Sequence, residues 1–285
     1  MATSFFCYRC YKSYRYYRCN RNSYNTYSTY NTYNISNPRK KICHSRGVLL
    51  NLKTECLFNF KTMKTSTQPA SVQRKHIEAR FIRKIEQLRD DEIRLVMRDR
   101  LESHPIDCVN WSEFPYAPRV SFRIAHSDDA LAIMFEVEEE HVRAVSLESN
   151  GPVWEDSCVE FFVKNPAGEG YFNFEVNCIG TALAAFRRSR TDADHFDAER
   201  MACVRRFGSL PHVKIDSRGE GQRWWMVEVI PFALLGLECA PKQIEANFYK
   251  CGDKCDKTHF LSWSPIALKE PNFHCPEFFG VVEMA

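Results

Sequence analysis

The sequence predicts a mainly β protein, a two-sheet antiparallel β-sandwich of jelly-roll type with a flanking helix on its N-terminal side. Many short runs of alternating or β-branched and aromatic residues follow one another from residue 106 onward. Turn signals separate these runs at intervals of about 8–12 residues, as in sandwiches and barrels. Helical patterns do not alternate with the strands, which argues against a doubly wound parallel sheet.

The first 62 residues differ in charge and composition from the rest of the chain. They hold eleven Lys or Arg and a single acid, Glu55, whereas the remainder holds 28 basic and 35 acidic residues. Nine of the twelve tyrosines lie in residues 1–34, where few aliphatic residues are present to form a core. We therefore predict a disordered basic segment.

Three interpretations of residues 1–62 remain. The favoured one is that the segment is not part of the natural protein, with Met63 as the start of the ordered sequence. A tail that stacks tyrosines on RNA bases and a tail without a role are the alternatives. The acidic remainder argues against nucleic acid as a partner of the folded part.

Neither a membrane partner nor export is predicted. No run approaches the roughly 18 apolar residues of a membrane-spanning helix. Residues 47–52 are too short for the apolar core of a signal peptide, which has about 7–15 residues. The compartment stays undetermined, with the cytoplasm as the default, and the thirteen cysteines are interpreted as mostly reduced thiols. A zinc site at Cys251 and Cys255 is disfavoured, since no second pair of ligands has a matching spacing.

Residues 63–105 form a predicted helical lead-in. Apolar residues recur at intervals of three to five between residues 77 and 101, with charged residues between them, which is typical of an amphipathic helix. His104 and Pro105 end this pattern. The helix is expected to pack on the flank of the main domain.

The sandwich is predicted over residues 106–285. Its expected strands lie at residues 120–125, 131–137, 157–163, 171–178, 181–186, 224–230, 244–250 and 279–282. Phe232 to Gly236 is predicted to be a short helical turn that ends at glycine, and residues 187–200 are expected to form a loop.

Side-chain alternation divides two of these strands into a core face and an outward face. In the strand at 157–163, the core face has Val159, Phe161 and Val163, so that Cys158 and Glu160 point the other way. The strand at 171–178 places Phe172, Phe174 and Val176 toward the core and Asn173, Glu175 and Asn177 away from it. Glu160 and Glu175 are therefore expected to share the outward face.

Four stretches together resemble the family 9 carbohydrate-binding modules, within the wider group of DOMON-like sandwiches. They are residues 153–162, 171–177, 225–232, and 260–265 followed by 273–280, and the resemblance extends from about Ile106 to Met284. Family-9-like proteins of Bacteroidetes are the most similar. Each stretch alone is weak, but their order is specific.

The resemblance implies a sugar held between two tryptophans, with Trp154 matching the first and Trp263 the second. It also implies that Glu160 hydrogen-bonds sugar hydroxyls, with help from Arg187 (or Arg188) and Lys250. This assignment suits the chemistry of a pyranose, because an aromatic ring covers its apolar face while a carboxylate accepts from its hydroxyls. The expected partner is a mono- or oligosaccharide, and no catalytic residue is assigned.

Several points stay open. The resemblance implies structural calcium, but the sequence does not place a site, and no other cofactor is expected. Glu160 and Glu175 could instead be the paired carboxylates of a glycoside hydrolase, and Lys250 could merely neutralise one of them. A structural or interaction domain is the third possibility. Neither the sugar nor the oligomeric state follows from the sequence.

Overall fold

A computed structural model describes residues 73–285, so the predicted segment 1–62 and the first ten residues of the lead-in lie outside the described residues. The described part contains fourteen strands: β1 His76–Phe81, β2 His104–Pro105, β3 Cys108–Val109, β4 Arg119–His126, β5 Ala130–Ala144, β6 Cys158–Lys164, β7 Tyr171–Asn177, β8 Ala182–Arg187, β9 Ala193–His195, β10 Arg205–Gly208, β11 Ile215–Pro231, β12 Gln243–Cys251, β13 Phe260–Ser262 and β14 Gly280–Met284. Two α-helices, α1 Asp90–Arg100 and α2 Ala198–Cys203, accompany them. Short 3-10 turns occur at Ile85–Gln87, Val153–Glu155, Phe232–Leu235 and Pro276–Phe278.

The strands form two layers, as predicted for a β-sandwich. The first layer has the order β14-β12-β6-β7-β8-β9, with β13 on β12 and β3 on β13. The second has the order β10-β11-β5-β4, with β2 on β4. All pairs within the layers are antiparallel, whereas β1 pairs in parallel with β14 at one end and with β4 at the other, which links the layers into one ladder.

The main core lies between the layers. Each layer contributes the inward-facing members of its alternating strands, including Phe161 and Phe174 from the first layer and Phe122 and Phe135 from the second. Phe122 stacks on Phe248 of β12 with ring centroids 3.7 Å apart, so aromatic contacts join the two layers directly. The mainly β fold class is therefore confirmed, and the alternation of side chains along the strands accounts for the core.

Both outer faces are covered in part. On the second layer, Ile93 and Met97 of α1 pack against Ala132, Met134 and Val227, which confirms a flanking helix. On the first layer, Trp111 and the segment of residues 266–279 cover one region with apolar side chains. None of the helices within residues 73–285 is long and apolar enough to cross a membrane.

The helix predicted over residues 77–101 is wrong in its first part. Residues His76–Phe81 form β1, and the helix occupies only Asp90–Arg100. The helical spacing of Ile77 and Phe81 is misleading, because β1 takes its main-chain partners from the C-terminal strand and from β4. Within the predicted loop 187–200, strand β9 and the start of α2 are also present.

Candidate functional site

The outward face of the first layer carries a group of polar side chains on β6, β7 and β8. Glu160 and Glu175 are direct register partners across β6 and β7, so their side chains leave the sheet on the same face. Both are buried, at 2% and 3% exposure. The alternation predicted for these two strands is confirmed, because their apolar members belong to the core between the layers.

A chain of hydrogen bonds fixes these groups. Arg187 donates from Nε to Asn173 Oδ1 at 2.9 Å, and Asn173 donates from Nδ2 to Glu175 Oε1 at 2.7 Å. The Cys251 thiol donates to Glu160 Oε1 at 3.0 Å. These bonds engage one oxygen of each carboxylate, which leaves the second oxygen of each able to accept from a ligand.

Burial governs the protonation of this site. Burial and the neighbouring Glu175 carboxylate raise the pKa of Glu160 well above its usual range. Burial also raises the pKa of Glu175 to about 7, although Arg187 opposes the shift. Two adjacent buried carboxylates do not ionise together readily, so near neutral pH the pair retains a proton. The outward face of the first layer then offers both a hydrogen-bond donor and hydrogen-bond acceptors.

A turn that carries an exposed tryptophan is tied to the strand next to these groups. Trp154, in the turn Val153–Glu155, is 37% exposed. Its carbonyl oxygen accepts from the amide of Asp253 at 3.2 Å and from the Cys251 thiol at 3.5 Å, which ties the turn to the end of β12. Burial, followed by the charge of Glu155, raises the pKa of Asp253 to about 6. The charge of Asp253 in turn contributes to raising the pKa values of Glu160 and Glu175.

A sequence model of carbohydrate-binding family 9 matches residues 90–284, which is more than half of the chain. The chain belongs to carbohydrate-binding family 9. This membership supports carbohydrate binding as its general function, and it confirms the family expected from the four stretches. A comparison with curated proteins found no significant match.

One solved structure agrees with the family assignment, and two more distant ones were also found. The chain is similar to a candidate carbohydrate-binding protein from Bacteroides uniformis, with 37% identity, a TM-score of 0.70, and coverage of 75% of this chain and 100% of the other. It is more distantly similar to a family 9 module from Caldicellulosiruptor kristjanssonii. That module was solved with glucose (14% identity, TM-score 0.47, coverage 74% and 96%) and with cellotriose (13%, 0.48, 74% and 93%).

In this family 9 chain, Trp263 does not lie on the outward face of the first layer. Its ring is 2% exposed and belongs to the core between the layers. It packs edge-on against Phe122 and Phe248, with centroids 5.9 and 5.6 Å away. The expectation that Trp263 forms the second wall of a sugar sandwich is wrong, because aromatic packing holds the indole in the interior.

Lys250 is likewise not on the outward face. It is the register partner of Val159, an inward-facing core residue, and it is completely buried. Its ammonium group lies 3.0 Å from Glu139 Oε2 of the second layer and 2.8 Å from His259 Nε2. The expectation that Lys250 binds sugar hydroxyls is wrong, since the side chain forms an ion pair inside the sandwich.

The remaining predicted residues divide clearly. Glu160 and Arg187 lie in the polar group of the outward face, and the turn of Trp154 is tied to the nearby end of β12, whereas Arg188 is exposed and bonds to Asp192 and Asp194. Sequence reasoning did not assign Asp253 a role, and its loop position gives no periodic signal.

Tyr171 was not assigned a role from the sequence either, although it has the same strand parity as Asn173 and Glu175. Its hydroxyl lies 2.9 Å from His274 Nδ1. Burial, then the charges of Arg187 and Arg190, lower the pKa of His274 to about 3, so the imidazole is neutral. The pair borders the charged group, and the parity of residues 171, 173 and 175 could have found Tyr171.

The described side chains that could share an ion do not suit the implied calcium. Within residues 73–285, the group of potential side-chain ligands close enough to share an ion is Cys158, Glu160 and Cys251. Calcium prefers six to eight oxygen ligands, and two of these three donors are sulfur. The residues therefore do not fit calcium.

Proposed function

We propose that the chain binds a mono- or oligosaccharide without catalysis on the outward face of the first layer. Trp154 supplies the aromatic surface on which a pyranose stacks. Glu160 and Glu175 accept hydrogen bonds from its hydroxyls, and Arg187 and Asn173 hold the carboxylates in place. This proposal gives the general carbohydrate binding of family 9 a defined site.

The observation that carries the proposal is a group of buried polar side chains next to a turn that presents an exposed tryptophan. Sugar sites need an apolar platform for the C–H face and fixed polar groups for the hydroxyl rim. Here the polar groups are held by the chain from Arg187 through Asn173 to Glu175, so little ordering is needed on binding. Trp154 is attached to the same region through its carbonyl.

The absence of Trp263 from this face changes the expected mode of binding. One-sided stacking on Trp154 replaces the sandwich between two indoles. Affinity should be modest, because the sugar hydroxyls and the buried carboxylates both lose water when they meet.

Calorimetric titration of a panel of mono- and oligosaccharides, at pH 7, tests the proposal. Trp154→Ala should weaken binding at least about tenfold, equivalent to about 1.4 kcal/mol. The matched control is Trp225→Ala, which removes a partly buried indole that packs with Phe207 on the second layer. Equal affinities for wild type and Trp154→Ala, or equal losses in both variants, would exclude Trp154 as the platform.

A glycoside hydrolase is the second candidate, and the paired carboxyls favour it. Glu160 and Glu175 are adjacent, and one of them keeps a proton near neutral pH, as a general acid must. Hydrolysis predicts release of reducing ends from an oligosaccharide and its loss in Glu160→Gln. Binding of sugar without such release supports the first proposal. If the chain shows neither sugar binding nor release of reducing ends, an interaction domain is the remaining interpretation.

A further inference from the structure

Two cysteines and a glutamate converge beneath the turn that carries Trp154. The thiols of Cys158 and Cys251 and a carboxylate oxygen of Glu160 all lie within 4.8 Å of one another. Cys158 and Cys251 are register partners on β6 and β12, and Glu160 lies two residues along β6 on the same face. All three side chains are buried, at 0%, 1% and 2% exposure.

We propose that Cys158, Cys251 and Glu160 form a binding site for a thiophilic divalent cation of the Zn²⁺ class. The proposal goes beyond carbohydrate binding and does not depend on it. Three protein ligands leave a tetrahedral ion with one further position, which water or a ligand oxygen can occupy.

The spacing of the donors suits zinc. With Zn–S bonds of about 2.3 Å and Zn–O bonds of about 2.0–2.2 Å, ligand atoms around one tetrahedral ion lie roughly 3.3–3.8 Å apart. Cys251 Sγ and Glu160 Oε1 are 3.0 Å apart, so small rotations of the side chains would admit the ion. Neighbouring strands of one sheet provide all three ligands, which fixes their mutual positions.

The donor chemistry selects the class of metal. Thiolates favour soft or borderline ions such as Zn²⁺, whereas Mg²⁺ and Ca²⁺ prefer oxygen alone. Binding converts each thiol to a thiolate, so two Zn–S bonds form and two protons pass to the buffer. Burial keeps both thiols protonated without metal, since it raises the pKa of Cys158 to about 12 and that of Cys251 well above its usual range.

These three residues do not form a recognisable sequence motif. The two cysteines come from distant parts of the chain, and strand pairing between β6 and β12 brings them together. The nearer cysteine, Cys255, instead points its thiol toward Ser157 Oγ, 3.8 Å away, and toward the His141 carbonyl, 4.0 Å away. The proposed site therefore differs from the Cys251–Cys255 pair that the sequence disfavoured.

The test is titration of the full, reduced and chelator-treated chain with Zn²⁺ by calorimetry, and with Co²⁺ by absorption spectroscopy. Cys158→Ala and Cys251→Ala should each remove one equivalent of tight Zn²⁺ binding and the thiolate-to-cobalt charge-transfer band of that equivalent. Cys178→Ala is the matched control, because it removes a completely buried thiol of the core between the layers. It should retain this equivalent of Zn²⁺ binding. Any Zn²⁺ binding by the other cysteines is common to the variants, so it cancels when they are compared.

Three outcomes would overturn the proposal. The first is the same stoichiometry and absorption in all three variants, and the second is no tight Zn²⁺ binding by the wild type. The third is a Cys158–Cys251 disulfide that persists after treatment with reductant. If the alanine variants unfold, Glu160→Gln provides a second reading, with weaker Zn²⁺ binding but an intact charge-transfer band. Sugar titration in chelator separates the two proposals, since Cys158→Ala should still bind carbohydrate there.

Discussion

Glu228 is a buried acid that faces the core between the layers. It lies on β11 on the same face as Trp224 and Met226, and it is completely buried. Neither carboxylate oxygen has a hydrogen-bond partner within the described residues. Burial raises the pKa of Glu228 to about 8, with Arg206, its register partner on β10, acting in the opposite direction. The folded protein therefore holds this side chain uncharged at neutral pH.

The raised pKa of Glu228 predicts a pH-dependent stability. Between about pH 5 and 8 the folded chain binds one more proton at Glu228 than the unfolded chain, so the free energy of unfolding falls as the pH rises. One proton corresponds to about 1.4 kcal/mol per pH unit. Glu228→Gln should flatten this fall, and urea unfolding at several pH values measures it. The exposed Glu220→Gln variant should follow the wild-type curve, and parallel curves for wild type and Glu228→Gln would contradict the prediction.

At the scale of single residues, the sequence located part of the candidate site. Strand parity placed Glu160, Asn173 and Glu175 on one outward face, because alternation is a local property of a strand. The role of Trp263 could not be predicted in this way. Its neighbours Ser262 and Ser264 indicate an exposed segment, but its position depends on Phe122 and Phe248, which come from two different layers.

The 3-10 turn Phe232–Leu235 links β11 to β12 and depends on a glycine. Phe232 and Leu235 are buried in the core, and Gly236 ends the turn in the left-handed region with φ of 77°. The amide of Gly236 donates to Ala233 O at 3.2 Å. Glycine adopts this conformation readily because it lacks Cβ. This turn and its glycine stop were predicted correctly.

Gly236→Ala should therefore destabilise the fold by about 1–2 kcal/mol, which is the cost of a left-handed conformation for a residue with Cβ. No atom within 4 Å would meet the new methyl group, so the effect isolates backbone strain from a clash. Urea unfolding of Gly236→Ala beside Gly219→Ala measures it. Gly219 is equally open but does not have a left-handed φ, and equal stability of the two variants would argue against the strain.

Elements with strong local signals were predicted well, and those defined by distant partners were not. The hairpin of β4 and β5 and the turn after β11 have their signals in adjacent residues. By contrast, β1 is a strand because β14 and β4 supply its main-chain partners. Its short sequence also fits a helical period, so only the tertiary pairing decides between the two.

At the scale of the whole molecule, a buried ion pair crosses from one layer to the other. Lys250 of β12 and Glu139 of β5 meet at 3.0 Å, with side chains 0% and 1% exposed. Trp224 donates from Nε1 to Glu139 Oε1 at 2.6 Å, and Lys250 Nζ lies 2.8 Å from His259 Nε2. Burial and the charge of Lys250 lower the pKa of His259, so its neutral ring accepts from the ammonium group. The network joins the two layers, and it pairs charges that would otherwise be buried without partners.

Removing one member of this network should destabilise the whole sandwich. Lys250→Met leaves the Glu139 charge buried without its partner, and such a change costs about 3–5 kcal/mol. Adding Glu139→Gln removes that charge while its amide oxygen still accepts from Trp224, so the double variant should recover much of the loss. Lys257→Met, which breaks an exposed pair with Glu140, should change stability little. Chemical unfolding of wild type, Lys250→Met, Glu139→Gln and the double variant forms a double-mutant cycle, with Lys257→Met as the control. A loss in the double variant equal to the sum of the losses in Lys250→Met and in Glu139→Gln alone would mean that the two charges are not coupled.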